Sequence, residues 1–216
     1  MARITRATSI VVGKTFGANK TISGITQANP PVVTSTAHGY SNGDLVVLNS
    51  DVAGMTLLAG QACRIAGVTT DTFQLEGMDT SDTAKYPAFT SGTCKKVTAF
   101  DSMGDAQGFE MNQDQAQTID VTTVFDTEEQ SQPGRAGKIT ISVPNFFNPT
   151  SAAMATLRAR AQAQIDTPLK VVFDNGNVMV INTNVAVGQG FNLQTNQAAV
   201  NTVQFSAVRS PVYYAS

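Results

Sequence analysis

Three segments of the chain alternate apolar and polar residues with a period of two, and that alternation restricts what they can fold into. In TIDVTTV, Ile119, Val121 and Thr123 face one way and Asp120 and Thr122 the other. KITISV sets Ile139, Ile141 and Val143 against Lys138, Thr140 and Ser142, and TVQFSAV sets Val203, Phe205 and Ala207 against Thr202, Gln204 and Ser206. Successive side chains of a strand point to opposite sheet faces, so each segment predicts a strand with one buried and one wet face. Turn residues divide most of the remaining chain into short stretches rich in Val, Ile, Thr and Phe, which predicts a mainly β protein. In FDNGNVMVINTNVAV, Asn175 and Gly176 tolerate the positive φ of a type I′ turn, which predicts a hairpin.

A single stretch has helical spacing. In NPTSAAMATLRARAQAQI, Met154, Leu157, Ala161 and Ile165 recur on one side, Asn148 is placed to cap, Pro149 suits the first turn and Pro168 ends the helix. A lone helix beside a sheet buries its stripe against that sheet. Residues 25–96 are different, dense in turns and short strands, and predict a small β-barrel module. SIVVGKTF before it and KKVTAF after it both read as strands, so the module is expected as an insertion in a larger β domain made of residues 1–24 and 97–216.

Charged residues make up 14% of the chain, so Ser, Thr, Asn and Gln must supply much of the polar surface, a composition suited to extensive protein contacts. Arg3, Arg6, Lys14 and Lys20 give the first 24 residues a basic character, whereas acids outnumber bases over 97–216. Proteins that clamp nucleic acid have the opposite bias, because lysine and arginine supply the affinity for phosphates. No apolar run approaches the ~18 residues of a membrane span, and MARITRATSIVV is too short in apolar residues for a signal peptide, so a cytoplasmic product without membrane insertion is expected.

Reactive constellations are scarce. VVGKT at 11–15 has Thr8 where a phosphate-binding loop needs its first glycine, which leaves a strand ending in a glycine turn. Cys63, Cys94 and His38 lack the spacing and number of a zinc site, and the two cysteines read as buried free thiols. His38, with Ser41 and Asp44 near it, reads as part of a structural turn, and adjacent Glu128 and Glu129 diverge too much to act as a carboxylate pair. A structural or binding role is expected, with no enzyme activity, cofactor or metal.

IDVTTVFDTEEQSQPGRAGKITISV followed by FNPTSAAMATLRARAQAQIDTPLKVVFDNGN resembles the tail tube, or major tail, proteins of long-tailed bacteriophages. The resemblance covers residues 97–216 and lies in the order of strand, long polar loop, strand, helix opening at NP, PLKVVFDNGN hairpin and last strand. NPPVVTSTAHGYSNGDLVVL and DTFQLEGMD in the inserted stretch resemble small β modules that decorate phage tail proteins. The family implies a tail-tube-type β-sandwich or partial barrel with one flanking α-helix, and the small inserted β-barrel domain is expected to face outward, since a domain of its size would obstruct the bore. It implies hexameric rings stacked into a tube that conducts DNA without specific binding. Its partners are copies of itself and the tail ruler, terminator and tip proteins, and its place is the virion tail, assembled in the host cytoplasm.

The resemblance assigns the polar loop to contacts between subunits and rings, through Asp126, Thr127, Glu128, Glu129, Gln130, Ser131, Gln132, Pro133, Gly134 and Arg135. A loop of this kind is expected to be mobile in a monomer and ordered in the tube. A lumen that lets DNA slide should be acidic and neutral, which makes Glu110, Asp114, Asp120, Thr122, Thr140 and Ser142 its candidates, although alternation does not say which polar face looks inward. Two other classes fit in part: a tail terminator or head-tail joining ring protein, and a β-type carbohydrate-binding or adhesin module, the latter weakened by the absence of Trp.

Overall fold

The computed structural model describes residues 6–116, 118–125, 127–135, 137–187 and 198–215. The strands are β1 (Ala7–Phe16), β2 (Lys20–Ile22), β3 (Gly24–Ile25), β4 (Val32–Thr34), β5 (Leu45–Leu48), β6 (Ala62–Ala66), β7 (Thr72–Leu75), β8 (Gly92–Ser102), β9 (Glu110–Gln113), β10 (Thr118–Asp120), β11 (Ser131–Pro133) and β12 (Ile139–Phe146). Helix α1 (Ala152–Ala163) follows, then β13 (Thr167–Phe173), β14 (Val178–Val187), β15 (Val200–Ala207) and β16 (Val212–Tyr214). All the pairings are antiparallel, and one sheet runs in the order β8-β1-β13-β14-β15-β12-β9, with β16 beside the start of β14. The mainly β fold with one helix agrees with the sequence.

Alternation sets which face of this sheet is dry. Ile141 and Val143 of β12 are buried opposite Phe205 and Val203 of β15, and Ile139, Ile10, Val12, Leu169, Val171 and Ile181 join them in one apolar core. Met154 and Leu157 carry α1 into that core, where the helix packs on β14, β8 and β1. The cap differs from the expected one: Ser151, not Asn148, accepts the Met154 amide, while the Asn148 side chain donates to Asp105. The stripe is also shorter than its spacing implies. Gln164 adopts a left-handed φ of 52° and ends the helix, so Ile165 lies past it, 40% exposed, and Ala161 is only half-buried. Pro168 sits within β13, tight against Gly13 of β1, where a Cβ would come 2.7 Å from the proline ring. Gly13 is thus a mid-strand close approach, not the turn expected from VVGKT.

The FDNGN hairpin also turns differently. Only Gly176 has positive φ, its amide donates to the Phe173 carbonyl, and the Phe173 amide donates to Asn177. This is a three-residue loop ending in a left-handed glycine, and it spares Asn175 the strain of a type I′ turn.

A second core lies in the first half of the chain. From β8 the pairing runs through β5, β6, β7, β4 and β3, and Ser23 links β3 to β2, which pairs back with β8. The circuit is a closed small barrel around Val33, Val46, Leu48, Met55, Ile65, Phe73 and Leu75. Strand β8 belongs to both bodies: Gly92–Cys94 pair with β2, Cys94–Lys96 with β5, and Val97–Ser102 with β1. Between the two cores a third cluster joins Leu45, Val47 and Ala62 of the barrel to Val97, Val180, Val212 and Tyr214.

Polar contacts reinforce this seam. The Tyr214 hydroxyl accepts from the Arg64 amide at 2.7 Å, Asn182 donates to the Gly60 carbonyl at 2.9 Å, and Arg209 donates to the carbonyls of Ala59 and Thr56. The Arg64 guanidinium lies 4.5 Å from the Tyr214 ring centroid while gripping both carboxylate oxygens of Glu76. Replacing Tyr214 with Ala should therefore cost about 3–5 kcal/mol in urea unfolding, and Tyr214→Phe about 1–2 kcal/mol through the orphaned amide. An alanine variant within about 0.5 kcal/mol of the parent would show that the seam does not hold the two bodies together.

Candidate functional site

Between β9 and β12 the chain leaves the sheet as an arm. At its base the Asp114 amide donates to the Lys138 carbonyl, and farther out β10 pairs with β11, with Thr118, Ile119 and Asp120 in register with Pro133, Gln132 and Ser131. The Val121 amide donates to the Gln130 carbonyl, and the Gln130 amide to the Thr122 hydroxyl. Both expected boundaries therefore move. TID is not a strand of the main sheet, and it pairs with SQP from within the expected loop, while the sheet strand beside β12 is EMNQ of β9.

A two-stranded ribbon has no second layer, and this one leaves its apolar side chains uncovered. Ile119 is 55% exposed, Val124 94% and Phe125 92%. Thr127, Glu128, Glu129, Gln130, Ser131, Gln132 and Arg135 are exposed on the same arm, and Gly134 is half-buried. Asp126 lies outside the described residues.

The candidates for a polar face separate into two groups. Ser142 stands opposite Glu110 and Gln204, and Thr140 opposite Asn112 and Ser206, in rows that β14 continues with Ala186 and Asn184. Asp114 follows β9 beside Lys138, so Glu110, Asp114, Thr140 and Ser142 share one sheet region. Asp120 and Thr122 do not join them. They belong to the arm ribbon, where the Thr122 side chain, and then its amide, which donates to Asp120 at 2.8 Å, hold that carboxyl below its usual range. The strand order ends at β9, which has no further strand beside it among the described residues.

The basic start of the chain is partly neutralised within the protomer. Lys14 pairs with Asp101 at 3.0 Å, and Lys20 donates to the Ala37 carbonyl. Asp101 also accepts from Thr156 on α1, and this bond, with Lys14, holds its carboxyl below the ordinary carboxylate range. Arg6 is exposed, and Arg3 lies outside the described residues.

Sequence reasoning missed a cationic cluster at the end of α1. The Lys95 ammonium and the Arg160 guanidinium lie 4.6 and 4.7 Å from the centroid of the same Phe16 ring. These positions are far apart in sequence and follow no shared period, so only the fold brings them together.

The remaining reactive residues are built into packing. His38 is buried against Tyr40 and Phe73, and its Nδ1 accepts the Tyr40 amide, while Asp44 binds the Ser41 amide and Lys96, so His38, Ser41 and Asp44 form no triad. Cys63 and Cys94 are free and buried, and burial pushes their thiols up to about 12 and about 11. Among the described residues no group of His, Cys, Asp and Glu could hold a metal ion.

A β-rich protomer with an uncovered arm and an open sheet edge defines a structural assembly subunit. The family model of the phage tail tube protein, TTP, matches residues 53–216, and the chain belongs to that family. It is a structural protein of the phage tail, not an enzyme. No curated protein matches the chain. Among solved structures, a chain of the virion of the native gene transfer agent particle is similar at 14% identity and a TM-score of 0.41, over 54% of this chain and 89% of that one. A chain from the tail of the empty gene transfer agent particle, of C6 symmetry, is similar at 14% identity and 0.41, over 54% of this chain and 87% of that one.

Proposed function

We propose that this chain forms hexameric rings that stack head to tail into the tail tube, and that DNA leaves the capsid through the bore. The observation that carries the reading is the arm: a tail tube protomer displays Val124 and Phe125 almost fully exposed, and a neighbouring copy supplies the missing cover. The open edge of β9 adds to it, because closing strands from successive copies into one barrel removes unpaired edges. Head-to-tail contacts repeat without limit, so ruler, terminator and tip proteins set the length and the ends. Assembly takes place in the host cytoplasm.

The lumen is assigned to the polar face that carries Glu110, Asp114, Thr140 and Ser142. Two acids and many neutral hydroxyl and amide groups repel or ignore phosphate, and the two acids outnumber the neighbouring Lys138. The barrel of residues 25–96 is assigned to the outside of the tube, as its volume would block the bore. Its roles there are decoration and reinforcement of the shaft.

Purified protein in negative stain should form long tubes, and deletion of 127–134 should abolish them while leaving a folded protomer. Single rings would instead favour a terminator or joining role, and persistent monomers a binding module. Glu110→Lys with Asp114→Lys should leave tube assembly intact and slow DNA ejection from particles. Ejection at the parental rate would remove this face from the lumen.

A further inference from the structure

The Lys95–Phe16–Arg160 cluster borders two adjoining recesses of about 360 and 270 Å³ that meet at Gln164. The larger is lined by Arg160, Ile165, Asn184 and Val185, the smaller by Lys95, Asp166 and Asn182. Both cations are half-buried, and among the described residues neither has a carboxylate within 4.0 Å. Burial holds Lys95 below the ordinary lysine range, with nearby Arg160 adding to the effect, and burial lowers Arg160 as well. Asp166 lines the smaller recess with Lys95 and offsets part of its charge from beyond ion-pair distance, and it also accepts from Asn182, whose own Oδ1 is buried without a hydrogen-bond partner. Arg160 donates to the Lys14 carbonyl at 2.6 Å, and the fold thus holds two like charges on one ring, partly desolvated, next to the exposed apolar Ile165. Such a site is completed by carboxylates that arrive with apolar side chains beside them.

The arm carries that combination. Val124 and Phe125 are its most exposed apolar residues, and Glu128 and Glu129 follow them, exposed. We infer that the groove at Lys95, Arg160 and Ile165 receives the arm tip of a second copy of this chain, with Glu128 and Glu129 against the two cations and Val124 and Phe125 against Ile165 and Val185. A second copy is the occupant because one chain carries both complementary surfaces at separate places. Two different surfaces that fit each other make a heterologous contact, which repeats from copy to copy. The assignment rests on the tube-forming reading above and gives the arm its receptor.

Charge reversal tests it. E128K with E129K changes only exposed side chains and should raise the protein concentration needed for tube formation by about tenfold or more, and adding K95E with R160E should restore assembly. Independently of whether the groove variant folds, Glu129→Cys combined with Gln164→Cys, at the exposed residue shared by both recesses, should give, on mild oxidation of assembled tubes, a ladder of linked chains beyond the dimer. Either cysteine alone should give none, since Cys63 and Cys94 are buried. If the double-cysteine chain forms tubes without a ladder, and E128K/E129K assembles at the parental concentration, the receptor assignment is wrong while the tube reading stands. An unsubstituted chain that forms no tubes overturns the tube reading and this assignment with it.

Discussion

Strand β8 hydrogen-bonds in two bodies at once, and the arrangement of the protomer depends on that sharing. Its first half closes the small barrel through β2 and β5, and its second half pairs with β1 at the margin of the larger sheet. A shared strand transmits position directly, because twisting one body against the other would break a ladder of backbone bonds. The apolar seam of Leu45, Val47, Val180, Val212 and Tyr214 then removes the remaining freedom. Gly60 permits the close contact: it has positive φ, and a side chain there would press on Val208 at 2.8 Å. The barrel is therefore oriented by the fold and not by a tether.

The same economy stops at the other margin. Among the described residues, beyond β12 there is only the four-residue strand β9, and the chain then runs on into the ribbon of the arm. Neither carries a second layer, so Ile119, Val124 and Phe125 stay in water while Ile141 and Val143 of β12 and Phe205 of β15 are fully buried. Burying an apolar side chain contributes about 1.5–3 kcal/mol, which a lone protomer forgoes at each of these positions. Such a surface costs a monomer solubility and supplies an assembly with its driving force. With Lys95 and Arg160 crowded on Phe16, the chain holds both a projecting acidic, apolar element and a recess of opposite charge.

Much of the larger sheet was legible because its strands have one wet face. Val203 and Phe205, and Ile139 to Val143, alternate in register with their partners, and Met154 with Leu157 marks the buried side of α1. The errors have physical causes. TID alternates like a core strand, yet period two records only local geometry and says nothing of which strand lies alongside. EMNQ of β9 is exposed at every position, so no apolar pattern marks it. Ile165 fits the helical period, but Gln164 turns left-handed one residue before it. The Lys95–Phe16–Arg160 cluster joins three elements, and no spacing rule reaches across them.

On the proposed reading the protomer is an unfinished β structure whose open margin is completed by copies of itself. Hydrogen exchange compares its two states directly, by measuring amides over 110–113 and 118–125 in free chains and in assembled tubes. Slowing of these amides by about a hundredfold or more on assembly, with the buried core strands changed little, is the result expected. Equal exchange at the margin in both states would contradict it.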